Sequence, residues 1–149
     1  VFGKKQKRSR DIELILRFFA LYYHLDDYGS SMKRFLNTYM VRNRHLTTQS
    51  GEELTLLFNG TVEFINFALS NEAFRPRGVI NAAVFDSIMI AVSKRLEKGP
   101  ITDKDKFIEI YDDLLKSPVY QAVIFSNTTD KEMVTGRMNM AINAFNDLE

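Results

Sequence analysis

The residue types that do chemistry are thinly spread in this chain. It holds two histidines, His24 and His45, and no cysteine. Zinc and related metals need several such ligands at close spacing, and neither histidine has a second His or a Cys at ligand distance along the sequence. Without cysteine, thiolate catalysis and a disulfide framework are both excluded. Gly60, Gly78 and Gly99 stand alone, without the glycine spacing or the following Lys-Ser/Thr that cradles phosphate. Serines are present, but sequence order alone identifies no Ser-His-acid arrangement.

Carboxylates occur in adjacent pairs, at Asp26-Asp27, Glu52-Glu53 and Asp112-Asp113. Neighbours in sequence do not share a helix face, so these pairs are poorly placed for cooperative acid–base work. The first reads as a turn, the second as the first turn of a helix, where negative charge is favoured, and the third as a solvated edge. Glu13 and Arg17 are more informative. Their i, i+4 spacing puts acid and base on one face in the favourable order, worth about 0.2–0.5 kcal/mol if exposed. Because the surrounding helix is so apolar, the pair is also a candidate to line a cleft or meet another segment. Asp86 interrupts a second apolar helix, Asn81 stands at that helix's start, and Arg137 is an available cation for any of these acids. Glu13, Arg17, Asn81, Asp86 and Arg137 are therefore the candidate interface residues. Lys4, Lys5, Lys7, Arg8 and Arg10 form a basic cluster that could touch nucleic-acid phosphate by charge attraction.

The elements that must position these residues are helical. Eleven of the fourteen residues from Ile12 to Leu25 are apolar or aromatic, with no Gly or Pro, so a helix over about 10–26 is wet along one narrow stripe only. A second such helix runs from Asn81 as cap to a stop at Gly99-Pro100. Ser30 or Ser31 can cap a helix to about Arg44. Ser50-x-x-Glu53 is a capping box opening a helix to about Asn71, within which Gly60 marks a weak point or a close approach. Pro76 and Gly78 make Glu72–Ile80 an irregular connector. Thr102 caps a fifth helix, Pro118 opens a short sixth, and Thr129-x-x-Glu132 is a second capping box for the last. No repeat and no strand-like alternation occurs. The expected fold is all-α, an irregular or orthogonal bundle of about seven helices around the two nearly all-apolar ones.

Composition agrees. A chain of 149 residues is one domain by length, able to bury roughly 70% of its unfolded surface. No apolar run approaches the ~20 residues a bilayer span needs, and Glu13 and Arg17 inside the first apolar segment argue against a signal peptide. The formal charge of +1 is uneven: residues 1–10 hold five of the twenty Lys and Arg and no acid. The mildly acidic remainder does not read as a nucleic-acid binder. The expected organisation is a basic flexible lead-in at 1–9 and a helical domain at 10–147. Residues 148–149, Leu-Glu, match a common expression-vector junction and are set outside the domain.

Four stretches carry a resemblance: RDIELILRFFALYY, MKRFLNTYM, AFRPRGVINAAVFDSIM and SNTTDKEMVTGRM. In order, they resemble the C-terminal helical half of the N-terminal domain of GmrSD-type modification-dependent restriction endonucleases, over about Arg8 to Phe145. The resemblance implies a cytoplasmic prokaryotic defence protein. In that family a ParB/sulfiredoxin-like α/β unit with an Asp-Gly-Gln-Gln-Arg motif precedes the bundle, and an HNH-type nuclease domain often follows. This sequence has neither motif, so no catalytic residue carries over. The expected role is a non-catalytic helical portion, needing no cofactor of its own. Its partners would be the absent α/β part and, through the parent protein, DNA. The alternatives are a free-standing helical protein-interaction adaptor and a DNA-contacting helical module.

Overall fold

The computed structural model describes residues 5–149, with side chains from Ser9 onward except that of Asn71. It is all-α. The described residues form α1 (Lys5–His24), α2 (Met32–Arg42), α3 (Gly51–Leu69), α4 (Ala82–Leu96), α5 (Lys104–Lys116), α6 (Pro118–Phe125) and α7 (Lys131–Phe145), with no strand among them. Short 3-10 turns follow α1 at Leu25–Asp27 and α3 at Ser70–Glu72.

Most helix starts follow local chemistry. The Ser31 hydroxyl accepts from the Arg34 amide at the head of α2. Ser50 and Glu53 form the full capping box, with the Glu53 carboxylate 2.7 Å from the Ser50 amide. Asn81 Oδ1 accepts from the amides of Ala83 and Val84 at 2.8 and 3.2 Å. Two starts differ from expectation by one residue. Asp103 rather than Thr102 caps α5, accepting from the Lys106 amide at 2.8 Å. The Thr129–Glu132 box does not form: Asp130 takes the position before α7 and makes no side-chain cap bond. The Thr129 carbonyl accepts from the Tyr28 hydroxyl at 2.6 Å, a contact from across the fold.

The two apolar helices carry the core unequally. Twelve of the fifteen residues of α4 are buried, so this helix is enclosed on nearly every side. It packs most extensively on α7, then on α1 and α3, with α6 across its start. α1 buries Leu14, Arg17, Phe18, Ala20 and Leu21 against α4, while Ile12 remains 64% exposed. α1 also begins at Lys5, five residues before Arg10. Aromatic contacts bind the layers: Phe58 on α3 meets Phe18 edge-on at 5.9 Å, and Phe107 on α5 stacks on Phe145 of α7 at 4.9 Å. Such pairs add about 0.5–1.5 kcal/mol each beyond their burial.

The last two residues belong to the fold rather than outside it. Leu148 is buried and its carbonyl accepts from Arg95 Nε. The Glu149 carbonyl accepts from the amides of Thr102 and Asp103, both at 3.0 Å. Gly60 is also not a point of close approach, since a Cβ placed there would meet nothing within 4 Å. Among the described residues no helix is long and apolar enough to cross a membrane.

Candidate functional site

Asp86 lies on the buried side of α4 with no exposure at all. A carboxylate so placed is stable only if it is paired and hydrogen-bonded. Two arginines supply this. Arg17 reaches from α1 with its guanidinium in the forked arrangement: Nε donates to Asp86 Oδ1 at 3.0 Å and Nη2 to Oδ2. Arg137 approaches from α7, and its Nη2 donates to the same Oδ2 at 3.3 Å. One acid therefore ties three helices together.

Second contacts extend the cluster. Arg137 Nη1 donates to the Thr128 carbonyl at 2.8 Å, one residue before the carbonyl held by Tyr28. The α6–α7 loop is thus fastened to the interior at two consecutive carbonyls. Glu13 Oε1 lies 3.8 Å from Arg17 Nη1 but is itself more than half exposed, so it adds little. Two buried cations and one buried anion leave a net positive charge inside the bundle. Burial pushes the Arg17 guanidinium down, but the two-point grip of Asp86 outweighs it and leaves the group above the usual arginine value. For Arg137 burial wins over a single longer bond, and the group sits below that value. Arginine stays cationic in either case.

The chemistry of this arrangement is restrictive. Both Asp86 oxygens already accept hydrogen bonds, and neither the acid nor Arg137 has any solvent-accessible surface. A general base must reach the proton it abstracts, and this carboxylate cannot. The triad is a structural lock. Beside it, the Ser87 and Tyr120 hydroxyls are 2.6 Å apart in the core, and Ser87 also donates to the Ala83 carbonyl. Burial pushes the Tyr120 phenol well above its usual value.

Of the five candidate interface residues, three converge, and they converge inwards. Arg17, Asp86 and Arg137 face one another, not a missing partner, because a polar group on an enclosed helix must find its counter-charge inside the fold. Asn81 is a helix cap whose Nδ2 also donates to the Ile124 carbonyl at 3.1 Å. Only Glu13 keeps an outward position. Arg10, assigned to nucleic acid, donates through Nη2 to the Ile80 carbonyl at 3.1 Å and ties α1 to the 72–80 connector. The side chains of Lys4, Lys5, Lys7 and Arg8 lie outside the described residues. Tyr28 and Thr128 are cluster members that the sequence did not single out, and Thr129, read from sequence as a helix cap, joins through its carbonyl. The Tyr28–Thr129 contact spans a hundred and one residues, the Arg137–Thr128 contact nine.

Accessible concavity lies elsewhere. A cleft of about 330 Å³ opens between α1, α3, the connector and α4, walled by Leu14, Ile15, Phe58, Val62, Phe74 and Phe85. Two of its residues, Ser70 and Phe74, hold left-handed backbones at φ 52° and 66°, a conformation rare for a bulky side chain. Among the described residues no group of three or more His, Cys, Asp or Glu could hold a metal ion. Comparison with family models, curated proteins and solved structures returns no match to this chain.

Proposed function

We propose that this chain is the non-catalytic helical portion of a GmrSD-like, nucleotide-dependent DNA restriction or defence protein of the prokaryotic cytoplasm, and that it supports an α/β catalytic part. One observation carries the reading. Three of the four stretches behind the resemblance meet at one point: Arg17 comes from the first, Asp86 from the third, and Arg137 with the Thr128 carbonyl from the fourth. The polar residues that make those stretches distinctive are spent on holding α1, α4 and α7 in fixed relation, as a scaffold requires. The all-α architecture is in keeping with a bundle that leaves the α/β chemistry to another part of the parent protein.

Two tests apply. Incubated with ATP or GTP and Mg²⁺, this chain should release no phosphate above a protein-free blank, and turnover that scales with protein concentration overturns the scaffold role. The codons upstream of Val1 should encode an α/β segment with an Asp-Gly-Gln-Gln-Arg motif. An in-frame stop there, or an unrelated upstream segment, overturns the family reading.

A further inference from the structure

The charge of the chain is segregated in a way its net value conceals. Between Asp27 and Glu52 no acid occurs, and the 24 residues from Tyr28 to Gly51 hold four Lys and Arg. The fold concentrates these on one surface. α2 buries Met32, Phe35, Leu36 and Tyr39, and among the other helices it packs chiefly on α1. Its opposite side is open to solvent and carries Lys33, Arg34, Asn37, Val41 and Arg42. Arg44 and His45 continue the positive charge past the helix end and are also exposed. The first turn has no acid to offset the helix's positive pole, so helix dipole and side chains have the same sign there.

A groove of about 290 Å³ lies beside this face, between the turn after α1 and α2; it shares Arg34, Thr38 and Arg42 with the face, and its lining also includes Phe35, Tyr39 and Asp27. Its rim supplies the hydroxyls of Ser30 and Ser31 beside Arg34 and Arg42, donors of the kind that hold phosphate oxygens, while the Thr38 hydroxyl donates to the Arg34 carbonyl at 3.0 Å. Asp26 and Asp27 are the nearby acids in sequence, both exposed. Asp27 is already engaged, 2.9 Å from Arg42 Nη1 and 3.6 Å from His24 Nδ1.

We propose that the outward face of α2 is a docking surface for the phosphodiester backbone of a nucleic-acid duplex. Eleven residues of helix span about 16 Å, enough to lie along a groove with cations at both ends and Asn37 and Thr38 between them. A membrane partner fits less well, because lipid contact needs a broad apolar helix face, and α2 leaves only Met40 and Val41 of its large apolar residues exposed. The inference stands on charge and geometry and does not need the family reading above.

The test is fluorescence anisotropy of a labelled 20-base-pair duplex of arbitrary sequence, titrated with the full chain over a salt series. With Lys33, Arg34 and Arg44 engaged and Arg42 held by Asp27, log K should fall with log salt at a slope of about −2.7, a loss on the order of fortyfold between 50 and 200 mM. The variant K33Q/R34Q/R44Q should bind at least tenfold more weakly at low salt, with a slope near zero and unchanged helical circular dichroism. K98Q/K116Q/K131Q removes the same charge from exposed positions elsewhere and should bind like the parent chain. Equal losses in both variants overturn the proposal, as does absence of binding at 50 mM salt. Tighter binding to vesicles containing phosphatidylserine than to the duplex overturns it in favour of a membrane. Loss confined to neutralisation of Lys4–Arg10 overturns it in favour of the chain's N-terminal stretch.

Discussion

Replacing Asp86 by Asn tests the central claim about this fold most directly. The side chain keeps its shape and loses its charge, so any effect is electrostatic and hydrogen-bonding rather than steric. In the parent chain one carboxylate compensates Arg17 and Arg137, which are 7% and 0% exposed. After substitution two guanidinium groups face each other without it, and the new amide turns a donor towards one of them. Removing one partner of a buried ionic cluster destabilises by about 3–5 kcal/mol, a large share of the roughly 5–15 kcal/mol that holds a domain folded. For a chain of this size that lowers Tm by about 6–20 °C. The arginines should rank below the acid and unequally. Arg17→Met leaves Asp86 with a single 3.3 Å bond, whereas Arg137→Met leaves the two-point grip of Arg17 intact. The triple variant R17M/D86L/R137M removes the charges together but also leaves the Thr128 carbonyl without its Arg137 donor, a loss of about 1–3 kcal/mol. It should therefore be less destabilised than Asp86→Asn, since well-packed apolar replacements of buried ion clusters are commonly neutral or stabilising. Thermal and urea denaturation followed at 222 nm would measure all four. An Asp86→Asn loss below about 1 kcal/mol, or a triple variant as unstable as Asp86→Asn, would refute the description of Asp86 as the shared counter-charge.

Asn81→Ala removes an acceptor serving two amides and a donor to the Ile124 carbonyl. It should destabilise by about 1–2 kcal/mol in urea unfolding, and a neutral result would mean water replaces the cap. Gly60→Ala should stabilise by about 0.5–1 kcal/mol, because the added methyl meets nothing while the helix gains propensity; destabilisation would show that the site is crowded. All six tyrosines, most strongly Tyr22 and Tyr120, have their phenols raised, first by burial. A phenol raised in the folded state adds stability at any pH below its unfolded value of about 10, and that contribution is lost as pH climbs from there towards the folded value. Phenolate absorbance at 295 nm should therefore appear together with loss of helix above pH 10. Titration near pH 10 with the helices intact would contradict the burial.

Local signals made most of the fold legible. Ser31, Ser50 with Glu53, Asn81 and Pro118 each act within four residues of themselves, so their effect needs no knowledge of the rest of the chain. The exceptions involve tertiary contacts. Thr129 does not cap α7, whose N-cap is Asp130, and its carbonyl instead meets Tyr28, a hundred and one residues earlier. Leu148 and Glu149 look like appended residues in sequence, yet Arg95 and the start of α5 hold their carbonyls. The apolar character of α1 suggests enclosure equal to that of α4. Hydropathy, however, counts apolar residues without saying how many neighbours a helix will find, and Ile12 finds few.

The candidate site was legible residue by residue and not as a constellation. Arg17, Asp86 and Arg137 each stand out as a charge where the pattern calls for an apolar side chain. Their separations of 69 and 51 residues leave the pairing invisible to any periodicity argument. The natural inference from three such charges is an exposed cleft, but the energetics favour the opposite. A charge on an enclosed helix carries a desolvation cost of several kcal/mol that solvent cannot relieve, so the fold must bring in the opposite charge. Three isolated interruptions on three apolar helices, two of one sign and one of the other, are better read as partners of each other than as invitations to something outside. Exposed charge obeys the converse logic. The Tyr28–Gly51 stretch is ordinary in density of Lys and Arg, and its signal is the absence of any acid. In a chain near neutrality a surface can keep one sign over a whole helix only by excluding the other, and the residues between Asp27 and Glu52 carry that exclusion in their order alone.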